Sequence, residues 1–427
     1  MLRYLVLLVA SLCLTLIFAN GSIFHFTIIC MQPGAEAQLS SNVTSEHTVF
    51  SSYEESILFG ALSFGCIIGN YPTVKLFALY GFKNTFTGFG ILSAVGTIVV
   101  PLLGHNFYVI LADRIIQGFA LAASFLAFGI VPSATAYNKE ISLFVSLLTC
   151  SLQLGPCLIM PISGLLCASS VGWEGAYYLS GALTIVIFAI FYFTYRPTPP
   201  KQSQPPVRIA TVLAQKIPYH FEKSSISSVW GIMIIAFGDT IGFTTFLLYG
   251  PIYINKSLGF DIAETGLLSA LPYVISMLTK AVGGVFLDRA TCINEQLRVL
   301  LFTSISQFAM TACFLILTQI TPEMAFLGQS MLTLMMVFSG LAFIGLMSGC
   351  QIISQQYNYM VTSALGIQDS LAGLLVPALV AMVAPNYDKD EWVLVFYILT
   401  GLLTVTNVLF VLLTKIRPAK WTNKQLN

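Results

Sequence analysis

Charge is what this chain has least of. Only 9% of its 427 residues are Asp, Glu, Lys or Arg, against about a quarter in water-soluble domains, so a water-soluble globule is excluded. The formal net charge is +1, too small to attract nucleic acid, and no such partner is expected. No HExxH, DxxD or Ser–His–Asp arrangement is apparent, so no catalytic residues, metal site or cofactor are expected and an enzyme is disfavoured. No CxxC pair occurs among the nine cysteines. Cys13, Cys66, Cys150, Cys157 and Cys313 lie inside apolar runs and read as small packing residues rather than metal ligands or disulfide partners. Segments of about ten residues with alternating polarity, which would mark a membrane barrel, are also missing.

Apolar runs fill the space that charge leaves. The composition is 56% hydrophobic, with 32 Phe and a mean hydropathy of +0.84. Runs of near 20 residues recur, each long enough to cross a hydrocarbon core of about 30 Å as a helix. The reading is a polytopic, all-α membrane protein with twelve spans: 4–31, 56–77, 85–104, 107–131, 142–168, 175–195, 229–253, 265–287, 299–319, 326–352, 363–384 and 392–414. Its opening, MLRYLVLLVASLCLTLIFA, has features of a cleavable leader. The apolar run nevertheless resumes after Asn20-Gly21-Ser22, so one long helix softened by a polar kink is the preferred reading.

Lys and Arg set the orientation. With both termini cytoplasmic, only Lys256 and Lys389 fall outside, Arg114 and Lys280 fall within the membrane, and the remaining basic residues are all cytoplasmic. The sequon Asn42-Val43-Thr44 then lies in the longest outer loop, as a glycosylation candidate. Asn255-Lys256-Ser257 lies too close to the membrane for that modification. A Pro- and Lys-rich stretch separates spans six and seven. Four domains follow: an N-terminal six-helix bundle at 1–195, a cytoplasmic linker at 196–228, a C-terminal six-helix bundle at 229–414 and a cytoplasmic tail at 415–427. The halves repeat. Glu55-Ser-Ile-Leu58 with Ala61-Leu62 matches Glu264-Thr-Gly-Leu267 with Ala270-Leu271, and Trp173 with Tyr178 matches Trp392 with Tyr397. Two like-oriented repeats imply a pseudo-twofold axis along the membrane normal and a cavity between them, the plan of a transporter.

Arg114-Ile-Ile-Gln117-Gly118 resembles the fourth-helix motif of the major facilitator superfamily. Gly284-Val-Phe-Leu-Asp288-Arg289 resembles its loop signature after span eight, which implies a conformational-switch role for Asp288 and Arg289. The first-half counterpart, Thr73 to Lys83, lacks the charged pair, with Ala78 and Leu79 in its place. Within the superfamily the chain is similar to the sialin, vesicular glutamate transporter and sodium–phosphate cotransporter family, through LGFDIAETGLLSALPY (258–273), QLGPCLIMPISGLLC (153–167) with GWEGAYYLSG (172–181), and EWVLVFYILTGL (391–402). That resemblance implies the twelve-helix fold and transport of organic anions. It also implies arginines in the first, fourth and seventh helices, of which only Arg114 is present; Gly21 and Asp239 occupy the other two positions. Leu121 stands at the family's acidic position after the fourth-helix motif, and Gln355-Gln356-Tyr357 replaces a Pro-Arg-Tyr loop. The pathway's charge is therefore shifted toward neutral or negative.

An ion at the bilayer centre costs at least about 2.5–3.5 kcal/mol, so Asp113, Arg114, Asp239, Lys280 and Asp369 need an explanation. Asp239 lies about 15 Å into its span, within a Gly238–Gly242 stretch that is able to unwind. Asp239 and Asp369 are the candidates for H⁺ or Na⁺ coupling. Arg114, Gln117, His25, Gln153, Tyr249 and Gln368 are the candidates for solute binding. Asp113 need not pair with Arg114, because successive helical residues point about 100° apart. Lys280, about two turns from Asp288, is expected to snorkel to the cytoplasm.

The sequence thus reads as a monomeric secondary active transporter of a small organic solute, coupled to H⁺ or Na⁺. It would reside in the plasma membrane or an endolysosomal or vesicular membrane and work by alternating access. A non-transporting sensor or scaffold is the alternative, motivated by the missing charges.

Overall fold

The computed structural model describes residues 2–31, 50–103, 106–135, 144, 147–195, 223–289, 294–354 and 358–417. Asn42, most of the 196–228 linker, Gln355 to Tyr357 and the end of the tail lie outside the described residues, as do the side chains of Asp288 and Arg289.

Among the described residues, eleven helices are long and apolar enough to cross a membrane, and no strand occurs. They are α1 (Leu2–Thr27), α2 (Ser52–Leu103), α3 (Phe107–Thr135), α4 (Ser151–Cys167), α5 (Glu174–Thr194), α6 (Lys223–Ile252), α7 (Ile262–Arg289), α8 (Glu295–Leu317), α9 (Ala325–Ser354), α10 (Asn358–Val383) and α11 (Lys389–Leu413). At 52 residues, α2 is too long for one crossing. Its backbone leaves helical geometry at Gly81, where φ is +77°, a conformation that costs glycine nothing. Two arms result, 52–80 and 82–103, and they account for the two spans read from the sequence. The connection expected between those spans, 78–84, is helical apart from that hinge.

Two glycine-containing stretches, one expected to kink and one able to unwind, are both helical. Helix α1 runs without interruption through Asn20-Gly21-Ser22 and stops at Thr27, and α6 runs through Gly238–Gly242 into a π-helical turn, Tyr253–Ser257. Backbone polar groups inside hydrocarbon must be bonded internally. An unbroken helix achieves this, whereas a local kink leaves orphans.

The chain divides into two compact units, Met1–Gln215 with Phe260–Ala270, and Lys216–Gly259 with Leu271–Asn427. The first holds α1, both arms of α2, α3, α4 and α5; the second holds α6 and α8 to α11 with most of α7. Leu8, Leu12, Phe193, Val282 and Leu412 are exposed, an apolar exterior suited to lipid rather than water.

Small residues set the helix spacing in the first unit. A Cβ at Gly65 would strike the Ile115 carbonyl, and one at Gly118 would strike the Leu62 carbonyl, so α2 and α3 meet backbone to backbone. A Cβ at Gly164 on α4 would lie 3.0 Å from the Cα of Gly266 in the Phe260–Ala270 segment. An aromatic cluster fills the other end, where Phe82, Phe86, Phe188, Phe191 and Tyr195 pack ring on ring.

The cysteine reading needs one correction. Cys30, just beyond α1, and Cys167, at the end of α4, form a disulfide with Cα atoms 6.2 Å apart. Cys13, Cys66, Cys150, Cys157, Cys313 and Cys350 take no part in a disulfide. A separation of 137 residues gives no local spacing by which sequence reasoning recognises a pair.

Two stability predictions follow from this packing. Replacing Cys30 and Cys167 together with Ser lowers the thermal unfolding midpoint by an amount corresponding to about 2–4 kcal/mol. Reductant lowers the midpoint of the parent chain and leaves the double variant unchanged, a comparison that scanning fluorimetry makes directly. Gly65→Val forces α2 from α3 and reduces the yield of monodisperse protein on gel filtration more than Gly88→Val, since a Cβ at Gly88 meets nothing within 4 Å.

Candidate functional site

The first unit gathers its polar side chains around Arg114, which is 1% exposed. Nη1 donates to the carbonyl of Gly21 at 2.6 Å and to Oε1 of Gln117 at 3.3 Å. Nε donates to the carbonyl of Leu58 at 3.4 Å, and Nη2 lies 2.7 Å from Nε2 of His25. Arginine only donates, so Nε2 of His25 accepts and the ring proton sits on Nδ1, which has no partner. The guanidinium carbon lies 5.4 Å from the centre of the Phe24 ring, a cation–π contact. The unbroken run of α1 presents Gly21, Phe24 and His25 to Arg114 together. Each helical carbonyl accepts its own intrahelical bond and still has a lone pair for the guanidinium.

Around this centre the bonding continues. Gln117 Nε2 donates to Thr97 Oγ1 at 3.3 Å, and Thr97 donates to the Ser93 carbonyl. Asn20 Nδ2 donates to Ser93 at 3.3 Å and Thr184 at 3.2 Å, while Ser180 donates to Asn20 Oδ1 at 2.6 Å. Thr27 and Tyr177 hydroxyls are 2.9 Å apart. Asp113, the chain neighbour of Arg114, stays out of this net: it is 6% exposed, its Oδ1 has no partner, and a Cβ at Gly96 would sit on that oxygen. Gln153 is buried on α4, whose Gly155 packs against Phe18 and Ala19 of α1.

The second unit has a different arrangement. Asp239, 8% exposed on α6, is hydrogen-bonded to the Ser339 side chain and lies within electrostatic range of Lys280; its Oδ1 has no partner. Lys280, expected to snorkel to the cytoplasm, turns into its own unit instead. Its stem packs against Gly340 of α9, with Nζ 5.2 Å from the centre of the Phe343 ring. A carboxylate and an aromatic face within the bundle hold the ammonium better than a solvent outlet two turns away. Gln368 donates to the Met233 carbonyl at 2.9 Å and ties α10 to α6, and its neighbour Asp369 is half-buried. Tyr249 is 1% exposed and belongs to an aromatic cluster with Tyr387 and Trp392.

Arg114, His25 and Gln117 are thus brought together in one unit, and Asp239 and Lys280 in the other. Sequence reasoning missed Asn20's partners on α2 and α5, and it missed Ser339. The one signal for them was polarity inside apolar runs, too common to single them out.

Comparison with known proteins gives a consistent result. The profile of the Major Facilitator Superfamily matches residues 10–367. Human sialin is 24% identical over 92% of this chain and 81% of its own length. Vesicular glutamate transporter 1 of Xenopus tropicalis is 22% identical over 93% and 72%. A probable small intestine urate exporter of Mus musculus is 25% identical over 84% and 75%. Among solved structures, a D-xylose-proton symporter superposes with a TM-score of 0.72 at 17% identity, covering 96% of this chain and 97% of its own. A bacterial homologue of the human lysosomal transporter Spinster, inward-facing and occupied, gives 0.69 at 15% identity and 96% of each chain.

Replacing Arg114 with Gln strips the Gly21 carbonyl of its shortest side-chain bond and His25 of its donor. The variant loses stability by about 1–3 kcal/mol, read as a lowered unfolding midpoint in detergent. Arg114→Lys recovers only part of the loss, because one ammonium cannot reach every acceptor that the planar fork serves.

Proposed function

Because the chain belongs to the major facilitator superfamily, we propose that it carries a small organic solute, organic anions foremost, by alternating access coupled to H⁺ or Na⁺. It is a multi-pass membrane protein of a transporter superfamily and not an enzyme. The observation that carries the finer reading is the placement of charge at depth in each unit: Arg114 among neutral acceptors in one, Asp239 with Lys280 in the other. The hydrogen-bond acceptors of Arg114 are all neutral, so no protein carboxylate is bonded to the guanidinium in place of a solute carboxylate or similar anion. Relatives named for glutamate and urate handling support that class.

In this reading Arg114, Gln117 and His25 contact the solute, with Gln153, Tyr249 and Gln368 as supporting positions. Asp239 and Asp369 take the coupling ion, and Asp288 with Arg289 switches the conformation. Bundles at 1–195 and 229–414 form the rocking parts around the 196–228 linker. Both termini face the cytoplasm, Asn42 carries a glycan on the opposite side, and the protein acts as a monomer. Names of relatives point to a vesicular membrane as its residence. One observation favours a non-transporting scaffold: protein acceptors already engage three of the guanidinium nitrogens, as in a purely structural hub.

Proteoliposomes containing the full chain separate these readings. Under an imposed proton or sodium gradient, radiolabelled glutamate or urate accumulates and D-xylose does not. Absence of flux for every probe favours the scaffold. In Asp239→Asn, gradient-driven accumulation is lost while exchange across equilibrated membranes persists. Unchanged pH and sodium dependence in that variant removes Asp239 from the coupling role.

A further inference from the structure

The carboxyl that the preceding reading leaves without a task is Asp113. It lies on α3 beside Arg114, 6% exposed, and among the described residues it has no recorded hydrogen bond or ion pair. Its Oδ1 is buried against the backbone of Gly96, on the second arm of α2, and has no partner. Water does not reach that oxygen, and no neighbouring donor replaces it. An ionised carboxylate in such a place is costly, and a bound proton removes the charge. Sodium is a poor alternative, since it needs several oxygens at close range and Oδ1 faces a glycine.

Few titratable groups surround it. Arg114 shares its helix and acts on it electrostatically. Across the helices packed against α3, the buried titratable groups are Cys13 and His25 on α1 and Glu55 and Cys66 on the first arm of α2. Tyr177 on α5 lies within electrostatic range of both Asp113 and Arg114. Residues 84–103 of the arm against which Asp113 rests carry no titratable side chain. Arg114 is therefore the cation with which Asp113 interacts, and the hydrogen-bond partners of Arg114 are neutral.

We propose that Asp113 is a proton-binding residue of the transport cycle, separate from Asp239, and that its protonation makes Arg114 available to an anion. With the proton absent, Asp113 and Arg114 sum to zero charge and an arriving anion meets no net attraction. With the proton on the carboxyl, the neighbourhood carries one positive charge and favours the anion. The proton and the anion then enter together and leave together. This coupling rests on the transport reading above, but the proton site itself does not.

Infrared difference spectroscopy of the full chain in nanodiscs, titrated from neutral to acid pH without solute, tests the site. The expected result is a protonated-carboxyl C=O band that forms in the parent chain and in Asp239→Asn and is missing from Asp113→Asn. A parent chain with no such band, or an Asp113→Asn spectrum identical to the parent's, overturns the assignment. Should Asp113→Asn fail to fold, Asp113→Glu decides: a displaced band supports the proposal and an undisplaced one overturns it. Glutamate and urate uptake measured in parallel keeps the two ideas apart. Absent flux in the parent sinks the transport reading while the spectra still judge Asp113. Given flux, Asp113→Asn retains exchange and loses its acceleration by acid.

Discussion

The bond from Arg114 to the Gly21 carbonyl is the point on which the first unit is organised. A guanidinium inside hydrocarbon has five donors and no water to serve them, so protein acceptors must come to it. Gly21 and Leu58 supply backbone oxygens, and His25 and Gln117 supply side chains. Those acceptors sit on α1, α2 and α3, so three helices must converge at one depth. Gly65 and Gly118 make the convergence possible by letting α2 and α3 touch at the backbone. The small residues that look like simple packing are thus a condition for holding the charge.

The two units treat corresponding positions differently. The family resemblance implies an arginine at Gly21 of α1 and at Asp239 of α6, which makes Asn20-Gly21 and Gly238-Asp239 the stretches to compare. Asn20 reaches Ser93, Thr184 and Ser180, and its amide is satisfied on both sides. Gly238 brings no side chain to the matching layer, where a Cβ would meet Thr406 and Gln307. Both amide atoms of Gln307 and Oδ1 of Asn407 are buried there without a partner. Asn407 makes one bond, to the Ser304 carbonyl. One repeat closes its polar layer with an asparagine, and the other leaves it open beside its acidic residue. An open layer is easier to rearrange than a closed one, because fewer bonds must break together.

Much of this architecture was legible in advance, for physical reasons that differ by feature. The spans were visible because bilayer thickness fixes their length, and even the long α2 fell correctly into two crossings. Arg114 and Asp239 stood out because a charge in an apolar run is rare. Which partner each would find was hidden, since it depends on which face of a helix meets which neighbour. Lys280 illustrates this: its chain position favoured snorkelling to the cytoplasm, but its stem lies on Gly340 and its charge near Asp239. The unbroken helices at Gly21 and Gly238 were hidden as well. Glycine permits a kink, and only tertiary packing decides whether the permission is used. The Cys30–Cys167 bond spans most of the first unit and leaves no local trace.

Charge at depth also persists in both units although two of the arginines that the family resemblance implies are missing. Gly21 stands where the resemblance implies an arginine, and its carbonyl now serves the arginine that remains. Asp239 stands at the other such position, with Ser339 and Lys280 as its company. Where the resemblance implies a cation in each unit, one position carries no charge and the other the opposite sign, and Arg114 and Asp239 each have partners from their own unit, while Oδ1 of Asp113 has none. A buried ion left unpaired costs several kcal/mol, which sets Asp113 apart from Arg114 and Asp239. Partner sets that fit Arg114 and Asp239 show how this chain holds a charge at depth in each unit: by backbone and side-chain acceptors in one, by a hydroxyl and an ammonium in the other.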